Sequence, residues 1–229
     1  YKKLFTTKDS DLVIFDVGSH RGETIGRLKR LFDNPKIHAF EPDVENFASL
    51  TEQFSSDKTI TLNNVGVGNS NGVLTFHKYK KTDVGGFSKI DPKNIWTKIR
   101  SEQSHTTPED FNTSSYDVDI RRLDEYIAEN SIEKINLLKI DTQGFEDEVL
   151  KGCEKALTNN TIDYVELELI ISGPYEKKIT FTDIEEVMHP YGYKLYGIQE
   201  GSNYYDMPIL QFDLLFASDN CYLEGNYPV

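Results

Sequence analysis

The chain has 229 residues, of which 38% are hydrophobic and 12% aromatic. It is long enough to bury the core of one large α/β domain, and it is not globally disordered. Acidic residues outnumber basic ones by 38 to 25, which gives a net charge of −13. Because no basic cluster marks a phosphate-binding surface, nucleic acid is not an expected partner.

Two cysteines, Cys153 and Cys221, lie far apart in the sequence and belong to no metal-ligand pattern. They predict neither a disulfide framework nor a zinc site, which favours a reducing, cytoplasmic location. No apolar stretch approaches the roughly 18 residues of a membrane-spanning helix, and no signal segment opens the chain. The first residue is Tyr and not Met, so the sequence is also compatible with a trimmed chain.

The first part of the chain alternates strand and helix patterns. Apolar runs predict strands at 12–17, 37–40 and 59–64. Apolar residues at helical spacing predict two intervening helices. The residues predicted to face inward are Ile25, Leu28 and Phe32 in the first helix, and Val44, Phe47, Ala48, Thr51 and Phe54 in the second. This βαβαβ order is typical of an open, mostly parallel sheet with helices on both faces.

The regular pattern lapses in the middle of the chain. Leu74 and Phe76 alternate with more polar neighbours in 73–79, which predicts an added strand. Residues from about 80 to 116 show no long period of either type. We interpret them as an insertion in a single domain of residues 1–229, serving as a cover over the active site, with a passive insertion as the alternative.

Regular patterns return after this insertion. They predict a short helix near Leu123, strands at 135–140 and 162–170, and strand-like runs at 193–198 and 209–217 that pair antiparallel at the sheet edge. A helical stripe is predicted at Phe145, Val149, Cys153 and Leu157, which makes Cys153 a core thiol. A further helix, with Ile184, Val187 and Met188 inward, is predicted to open with a capping box of Thr182 and Glu185.

Two loops follow the first two predicted strands and have the chemistry of a ligand site. Asp16 to Gly22 reads D-V-G-S-H-R-G directly before a helix, where glycine permits close backbone approach and amide groups attract an anion. A tight strand-to-helix turn is the alternative interpretation. The spacing lacks the G-x-G-x-x-G fingerprint, which disfavours a dehydrogenase. Glu41 ends the second strand, where a carboxylate can accept hydrogen bonds from two ribose hydroxyls.

Five segments, in order, resemble the FkbM-type methyltransferases. F-D-V-G-S-H-R-G-E-T at 15–24 is similar to the family's F-D-V-G-A-N-x-G-x-T, and the segment at 39–50 is similar to its F-E-P-x-P-x-x-F-x-x-L. V-G-V-G-N at 65–69, R-L-D-E-Y-I at 122–127 and L-L-K-I-D-T-Q-G-F-E-D-E-V-L-K-G at 137–152 follow in family order. His20 departs from a common Asn, and Gln143 from a frequent Glu.

This resemblance implies a Rossmann-like class I fold with a mostly parallel seven-stranded sheet, an antiparallel edge strand and S-adenosylmethionine as cofactor. It implies that Asp16, Gly18 and Gly22 surround the methionine portion, that Glu41 binds the ribose, and that the backbone near Val65 and Gly66 contacts the adenine. The implied cofactor set also includes Ser19, His20, Pro42 and Asp141.

Two carboxylates are the catalytic candidates. Asp141 follows an apolar strand and could act as a general base or position the acceptor, while capping of the next turn is its alternative role. Glu168 is the second candidate, because it alternates with apolar residues on the next strand and precedes Tyr175 at the family's spacing. A divalent cation held by Asp141 and Glu168 is a less favoured alternative.

The acceptor side is less well marked. Candidate substrate contacts are Ser88, Trp96, His105 and Glu166, with His77 a further candidate base. The resemblance implies transfer to a hydroxyl of a carbohydrate, glycolipid or secondary metabolite. The alternatives are a nitrogen acceptor and a non-catalytic nucleoside-binding module.

Overall fold

A computed structural model describes residues 4–5, 12–80, 82–171, 173–200 and 211–224. The elements in chain order are β1 Val13–Val17, α1 Glu23–Leu31, β2 Lys36–Phe40, α2 Val44–Phe54, β3 Ile60–Asn63, β4 Gly66–Val67, β5 Gly72–Tyr79, α3 Ile95–Gln103, β6 Asn112–Arg121, α4 Leu123–Glu129, β7 Ile135–Ile140, α5 Glu146–Lys151, α6 Glu154–Thr158, β8 Ile162–Ile170, α7 Phe181–Met188, β9 Lys194–Glu200, β10 Gln211–Ala217 and α8 Asp219–Glu224.

Within the described residues, seven strands form the main sheet in the order β3-β2-β1-β7-β8-β10-β9. All pairs from β3 to β8 are parallel, whereas β10 is antiparallel to both of its neighbours. The predicted Rossmann-like, mostly parallel sheet is therefore confirmed. The antiparallel strand lies one position in from the edge, because β9 occupies the edge itself.

Alternate residues of the strands face two separate cores, as period-two side-chain direction requires. On β1, Phe15 packs with the apolar residues of α4, α5 and α7, whereas Ile14 packs with those of α1 and α2. On β8, Leu167 belongs to the first core, so the alternating Glu166 and Glu168 lie on the α1 side of the sheet. The predicted placement of helices on both faces is confirmed.

The strand at 73–79 belongs to a second sheet and not to the main one. Here β5 pairs antiparallel with β6, and the short β4 pairs parallel with β6, in the order β4-β6-β5. Phe76 is buried, whereas Leu74 on the same strand is 41% exposed. The predicted irregular stretch also contains a helix, α3, and ends where β6 begins at Asn112.

The predicted inward face of α2 is partly wrong. Val44, Ala48 and Thr51 are exposed, while Asn46 and Leu50 are the buried residues. Asn46 can face inward because it lies at the Glu41 loop and accepts a hydrogen bond from Arg21. The helix is rotated relative to its apolar pattern because polar contacts of the loop fix its first turn.

Two further predictions on the helices need correction. The stripe from Phe145 to Leu157 is broken into α5 and α6, and the break lies at Gly152, where a Cβ would be 2.2 Å from the Gly68 carbonyl oxygen. The close approach of these two backbones requires glycine at the break. Cys153 is fully buried, as predicted, and burial raises the pKa of its thiol.

The capping box of α7 is not formed by Thr182 and Glu185. It is formed by Thr180 and Asp183, whose side chains bond reciprocally with each other's backbone N–H groups. Ile184 and Met188 face inward as predicted, and Val187 is half-buried. The box lies two residues earlier than predicted because α7 begins at Phe181.

Candidate functional site

A cleft of about 360 Å³ opens at the carboxyl edge of the central strands. Its walls come from the loops that follow β1, β2 and β7, from the end of β8, and from the segment that contains α3. This is the edge at which open parallel sheets bind their ligands, beside the point where strand order reverses. In this sheet the reversal lies between β1 and β7.

The β1–α1 loop passes close to the backbone at the end of β7. Gly18 has φ +83°, and a Cβ at this position would lie 1.9 Å from the Asp141 carbonyl oxygen. The backbone N–H groups of Gly18 and Ser19 both donate to the Phe40 carbonyl. The loop is therefore fixed against β2 on one side and β7 on the other, and only glycine fits where it passes Asp141.

Glu41 is held by backbone donors from two loops. The N–H of His20 donates to Glu41 Oε2 at 2.8 Å, and the N–H of Asp43 donates to Oε1 at 2.8 Å. The residue is only 5% exposed, yet it lines the cleft. Burial raises the pKa of Glu41 to about 8, although these two hydrogen bonds oppose the shift. The carboxylate is oriented, and its remaining lone pairs are the acceptors available to a ligand.

Asp16, Lys139 and Asp141 form a charge group on the α1 side of the sheet, in which Asp16 and Lys139 are buried and Asp141 is half-buried. Asp16 and Lys139 are register neighbours on β1 and β7. The Lys139 Nζ lies 4.0 Å from Asp16 Oδ1 and 3.2 Å from Asp141 Oδ2. Within the described part of the chain, neither carboxylate oxygen of Asp16 has a hydrogen-bond partner, and burial raises its pKa. Burial acts to raise the pKa of Asp141, but the charge of Lys139 and the hydrogen bonds to the carboxylate, one of them donated by Gln143, together hold this pKa below its ordinary value.

Gln143 connects the two carboxylates that the sequence singles out. Its Nε2 donates to Asp141 Oδ1 and to Glu168 Oε2, each at 2.8 Å. Its Oε1 accepts from the Tyr175 hydroxyl at 2.8 Å, and Gln211 Nε2 donates to Glu168 Oε1 at 2.9 Å. Burial, together with Asp141 and Glu146, raises the pKa of Glu168 to about 8.

Glu146 fixes the loop that presents Asp141 and Gln143. Its carboxylate accepts from the N–H groups of Thr142 and Gly144 and from the Thr142 hydroxyl. The residue is 1% exposed, and burial raises its pKa to about 7. The Glu146 side chain, in the first turn of α5, thus holds the loop after β7 in one conformation.

The middle segment of the chain forms the remaining wall. Residues 83–87, Trp96 and Arg100 line the cleft, and the Arg100 guanidinium lies 5.3 Å from the centre of the Trp96 ring. Asn94 caps α3 by accepting from the Trp96 N–H, and its Nδ2 donates to the Gly173 carbonyl. Helix α3 is therefore tied to the segment that follows β8.

A family model described as the methyltransferase FkbM domain matches residues 16–195 of the chain.
The chain belongs to the FkbM methyltransferase family.
The predicted family is therefore confirmed, and the match includes the residues that build the cleft.

Two relatives carry more specific names. The chain is 28% identical over 160 residues to the 2-O-methyltransferase NoeI of Sinorhizobium fredii, covering 68% of this chain and 63% of that protein. It is 29% identical over 180 residues to the hexuronic acid methyltransferase AglP of Haloferax volcanii, covering 77% and 63% respectively. The chain thus spans less than two thirds of the length of these two relatives.

A solved structure supports the fold. The FkbM methyltransferase from Methylobacillus flagellatus KT superposes with a TM-score of 0.57 at 18% identity, covering 93% of this chain and 45% of that one. This likeness extends over nearly the whole of the present chain. At this identity it shows a shared architecture and nothing finer.

The structure brings most of the predicted site residues to this FkbM cleft. Ten of them line it: Gly18, Ser19, His20, Glu41, Pro42, Val65, Gly66, Trp96, Asp141 and Glu168. Asp16 and Gly22 lie behind its wall, Asp16 beside Lys139 and Gly22 against Phe54 and Leu50 of α2. The roles of all these residues in binding or catalysis remain predictions.

Four predicted candidates lie outside the lining. Ser88 is buried and donates to the Gly144 carbonyl at 2.6 Å, so its hydroxyl supports the Gln143 loop. Glu166 lies one step back from the sheet edge, in register with Lys139. His105 is exposed in the turn that ends α3. His77 is buried in the second sheet, where its Nδ1 is 2.8 Å from the Ser115 hydroxyl.

Sequence reasoning missed five residues of the cleft and its supports, namely Lys139, Gln211, Tyr175, Arg100 and Glu146. Lys139 had a usable signal, because it precedes Asp141 by two residues on one strand and therefore shares its face. Glu146 also had one, since a Glu in the first turn of a helix can satisfy the backbone donors of the preceding loop. Gln211 had none, because its approach to Glu168 depends on β10 pairing beside β8.

Within the described residues, neither a metal-binding cluster nor a membrane-spanning helix is present. No group of three or more His, Cys, Asp or Glu side chains in this part of the chain is arranged to hold a metal ion. Among the same residues, none of the helices has the length and apolar character needed to cross a bilayer.

Proposed function

We propose that this chain is an S-adenosylmethionine-dependent methyltransferase that methylates a hydroxyl group of a carbohydrate, glycolipid or secondary-metabolite acceptor. The observation that carries the proposal is one cleft with a buried, oriented Glu41 on one wall and the Asp141 and Glu168 pair on the other. Glu41 can accept hydrogen bonds from both hydroxyls of a ribose. In the Asp141 and Glu168 pair, one carboxylate can accept a proton and the other can position the methyl acceptor.

The residues of the cleft fit the cofactor. Glu41 would accept from the ribose hydroxyls, and the backbone at Val65 and Gly66 would contact the adenine. The Gly18 loop and Asp16 would form the methionine end, where the buried Asp16 oxygens lack partners among the described residues and a cationic amino group would complement their charge. When bound, S-adenosylmethionine would supply an electrophilic methyl group on a sulfonium sulfur, which departs as a neutral thioether.

The two carboxylates on the acceptor side have different proposed roles. Asp141 stays ionised because Lys139 and the hydrogen bonds to its carboxylate together hold its pKa low, so it is suited to accept a hydrogen bond from the acceptor and fix its orientation. Glu168, with a pKa of about 8, is suited to take the hydroxyl proton as the oxygen forms its bond to the methyl carbon. We therefore assign the base to Glu168 and positioning to Asp141, which reverses the order of preference from the sequence.

The acceptor class is supported by the relatives and by the third wall. NoeI is named as a 2-O-methyltransferase, and AglP is named for a hexuronic acid acceptor. Trp96 and Arg100 lie at the mouth formed by α3, where an indole can pack on a sugar ring and a guanidinium can donate to its oxygens. We propose that residues 80–116 bind and cover the acceptor.

The first experiment is calorimetry with S-adenosylmethionine and its demethylated product, S-adenosylhomocysteine. We expect both to bind at one site. A chain that bound neither would contradict the cofactor assignment, and with it the proposed function.

The second experiment identifies the acceptor and the base. Purified protein is incubated with methyl-labelled cofactor and a panel of glycosides, uronic acids, glycolipids and amines, and the labelled atom is located by mass spectrometry. We expect label on oxygen, and label confined to nitrogen would contradict the hydroxyl assignment. With the acceptor found, Glu168→Gln is expected to lower kcat by about 10²-fold or more, and wild-type turnover in this variant would remove Glu168 from the mechanism.

A further inference from the structure

Gln143 is the residue through which the two carboxylates of the acceptor side are connected. Each carboxylate is held at both oxygens. Asp141 is bonded to Gln143 through Oδ1 and to Lys139 through Oδ2, and Glu168 is bonded to Gln143 through Oε2 and to Gln211 through Oε1. A carboxylate fixed at both oxygens cannot rotate freely, and Gln143 supplies one of the two contacts in both cases.

The orientation of the Gln143 amide is itself determined. The buried Tyr175 hydroxyl donates to Gln143 Oε1 at 2.8 Å, so the amide oxygen is directed to Tyr175 and the NH₂ group to the carboxylates. A hydroxyl donor at one end and two carboxylate acceptors at the other leave one arrangement of the amide that satisfies all three partners.

The backbone at this position is also specialised. Gln143 has φ +58°, a left-handed conformation that a residue with a side chain seldom adopts, and Gly144 follows with φ +91°. Glu146 accepts from the N–H groups on both sides of Gln143, at Thr142 and Gly144. Left-handed non-glycine residues persist only where their surroundings hold them, and they concentrate at functional sites.

We propose that Gln143 is a positioning residue that sets the spacing and direction of the Asp141 and Glu168 carboxylates toward the acceptor by donating one amide hydrogen to each. The proposal rests on the proposed function, because it assigns these carboxylates to the acceptor. Two neighbouring carboxylates repel each other, and a shared donor between them offsets that repulsion without adding charge.

The charged groups around the pair define what a substitution would do. The charged groups that face Glu168 are Lys139 on β7, Asp141 in the loop after β7, Asp213 on β10 and Glu146 on α5. Tyr175 lies on the far side of the Gln143 amide. Replacing Gln143 by Glu would add a further carboxyl group to this surplus of acids. Replacing it by Met would keep the length of the side chain and remove both donors.

The test compares Gln143→Met and Gln143→Glu with wild type, and uses Gln199→Met, an exposed position on β9, as the matched control. Affinity for S-adenosylhomocysteine is expected to stay within about threefold, since a hydrogen-bond rearrangement that leaves the cofactor wall intact changes binding little. With the acceptor, kcat is expected to fall by about 10²-fold in both variants, with the KM for the cofactor unchanged. The control is expected to match wild type.

A second readout needs no acceptor. In Gln143→Glu the added carboxyl has a folded-state pKa raised by its acidic neighbours, so its contribution to stability is present at low pH and is lost as pH rises through that pKa. The Tm of Gln143→Glu is therefore expected to fall relative to that of Gln143→Met as the pH is raised from about 5 to about 9.

The outcomes separate the two proposals. Wild-type turnover and an unchanged pH profile of kcat in Gln143→Met would overturn the positioning role and leave the proposed function standing. A difference in Tm between the two variants that is the same at both pH values would overturn it as well. Failure of the wild-type chain to bind S-adenosylmethionine or S-adenosylhomocysteine would overturn the proposed function itself.

Discussion

Glu41 combines burial with a place on the cleft wall, so cofactor binding should be linked to its ionisation. Its pKa of about 8 means that much of the free protein carries a protonated Glu41 at neutral pH. Two ribose hydroxyls donate best to the ionised form. Affinity for S-adenosylhomocysteine is therefore expected to rise about tenfold per pH unit below pH 8 and to level off above it.

Calorimetry in buffers of different ionisation enthalpy checks this expectation, because binding at pH 7 should release a proton. Glu41→Gln is expected to bind at least about tenfold more weakly, with the pH dependence lost. Glu52→Gln, at an exposed position on α2, is the control. A wild-type affinity that does not change between pH 6 and 8 would argue against Glu41 as the ribose ligand.

Asp16 illustrates a conflict between stability and binding at a single residue. Burial raises its folded-state pKa above the ordinary value of 3.8, so its contribution to stability is present at low pH and is lost as pH rises through the raised pKa. Asp16→Asn is expected to gain in Tm relative to wild type as pH increases from about 4 to 8. The same variant should bind S-adenosylmethionine about tenfold more weakly or worse.

Thermal unfolding across this pH range measures the first effect, and calorimetry measures the second. A variant that lost stability at every pH, with affinity retained, would show that Asp16 has a structural role only.

The sequence predicted site residues that stand at strand ends and missed Gln211, which depends on pairing between strands, as well as Lys139 and Glu146, which had local signals. Glu41 and Asp141 follow apolar runs directly, and the carboxyl ends of parallel strands meet at one edge. The contact of Gln211 with Glu168 requires β10 to pair beside β8, and no local pattern encodes that choice of neighbour.

At the scale of elements, the β1–α1 loop depends on close backbone approach. Gly18→Ala places a Cβ 1.9 Å from the Asp141 carbonyl oxygen at a positive φ, so β1 and β7 must separate or the loop must move. We expect a loss of about 3 kcal/mol or more in unfolding free energy and loss of cofactor binding. Gly26→Ala, inside α1 with only Arg30 nearby, is the matched control and is expected to gain about 0.5–1 kcal/mol.

Chemical denaturation of both variants makes the comparison. Equal stability of Gly18→Ala and wild type would mean that the loop tolerates a side chain where it crosses β7, against the geometry described above.

The elements themselves were predictable to different degrees. The strands at 135–140 and 162–170 were predicted with the observed bounds, because the first is a nearly continuous apolar run and the second alternates apolar residues with Glu166 and Glu168. The second sheet was not, since β4 is two residues long and pairs with a strand more than 50 residues away. The break between α5 and α6 lies where Gly152 packs closely against Gly68, a contact that the helical pattern does not contain.

At the scale of the molecule, ligand binding should be visible as global stabilisation, because the cleft is built from loops of four parallel strands of one sheet. S-adenosylhomocysteine at 100 times its Kd adds about 2.7 kcal/mol. For a chain of this size that corresponds to a rise in Tm of about 5–10 °C. Differential scanning calorimetry measures it, and a Tm insensitive to saturating ligand would contradict binding to the folded chain.

The position of β10 between β8 and β9 has a consequence for biosynthesis. Strand β9 is translated before β10, yet it joins the sheet only through β10, and the same strand brings Gln211 to Glu168. During translation the loops near residues 16–41 can contact β7 once 135–141 have been synthesised, whereas the contact of Gln211 with Glu168 cannot form until 211–217 have left the ribosome. A nascent chain stalled before that point presents the bare edge of β8, which is the kind of surface that chaperones shield and that other unfinished chains can pair with.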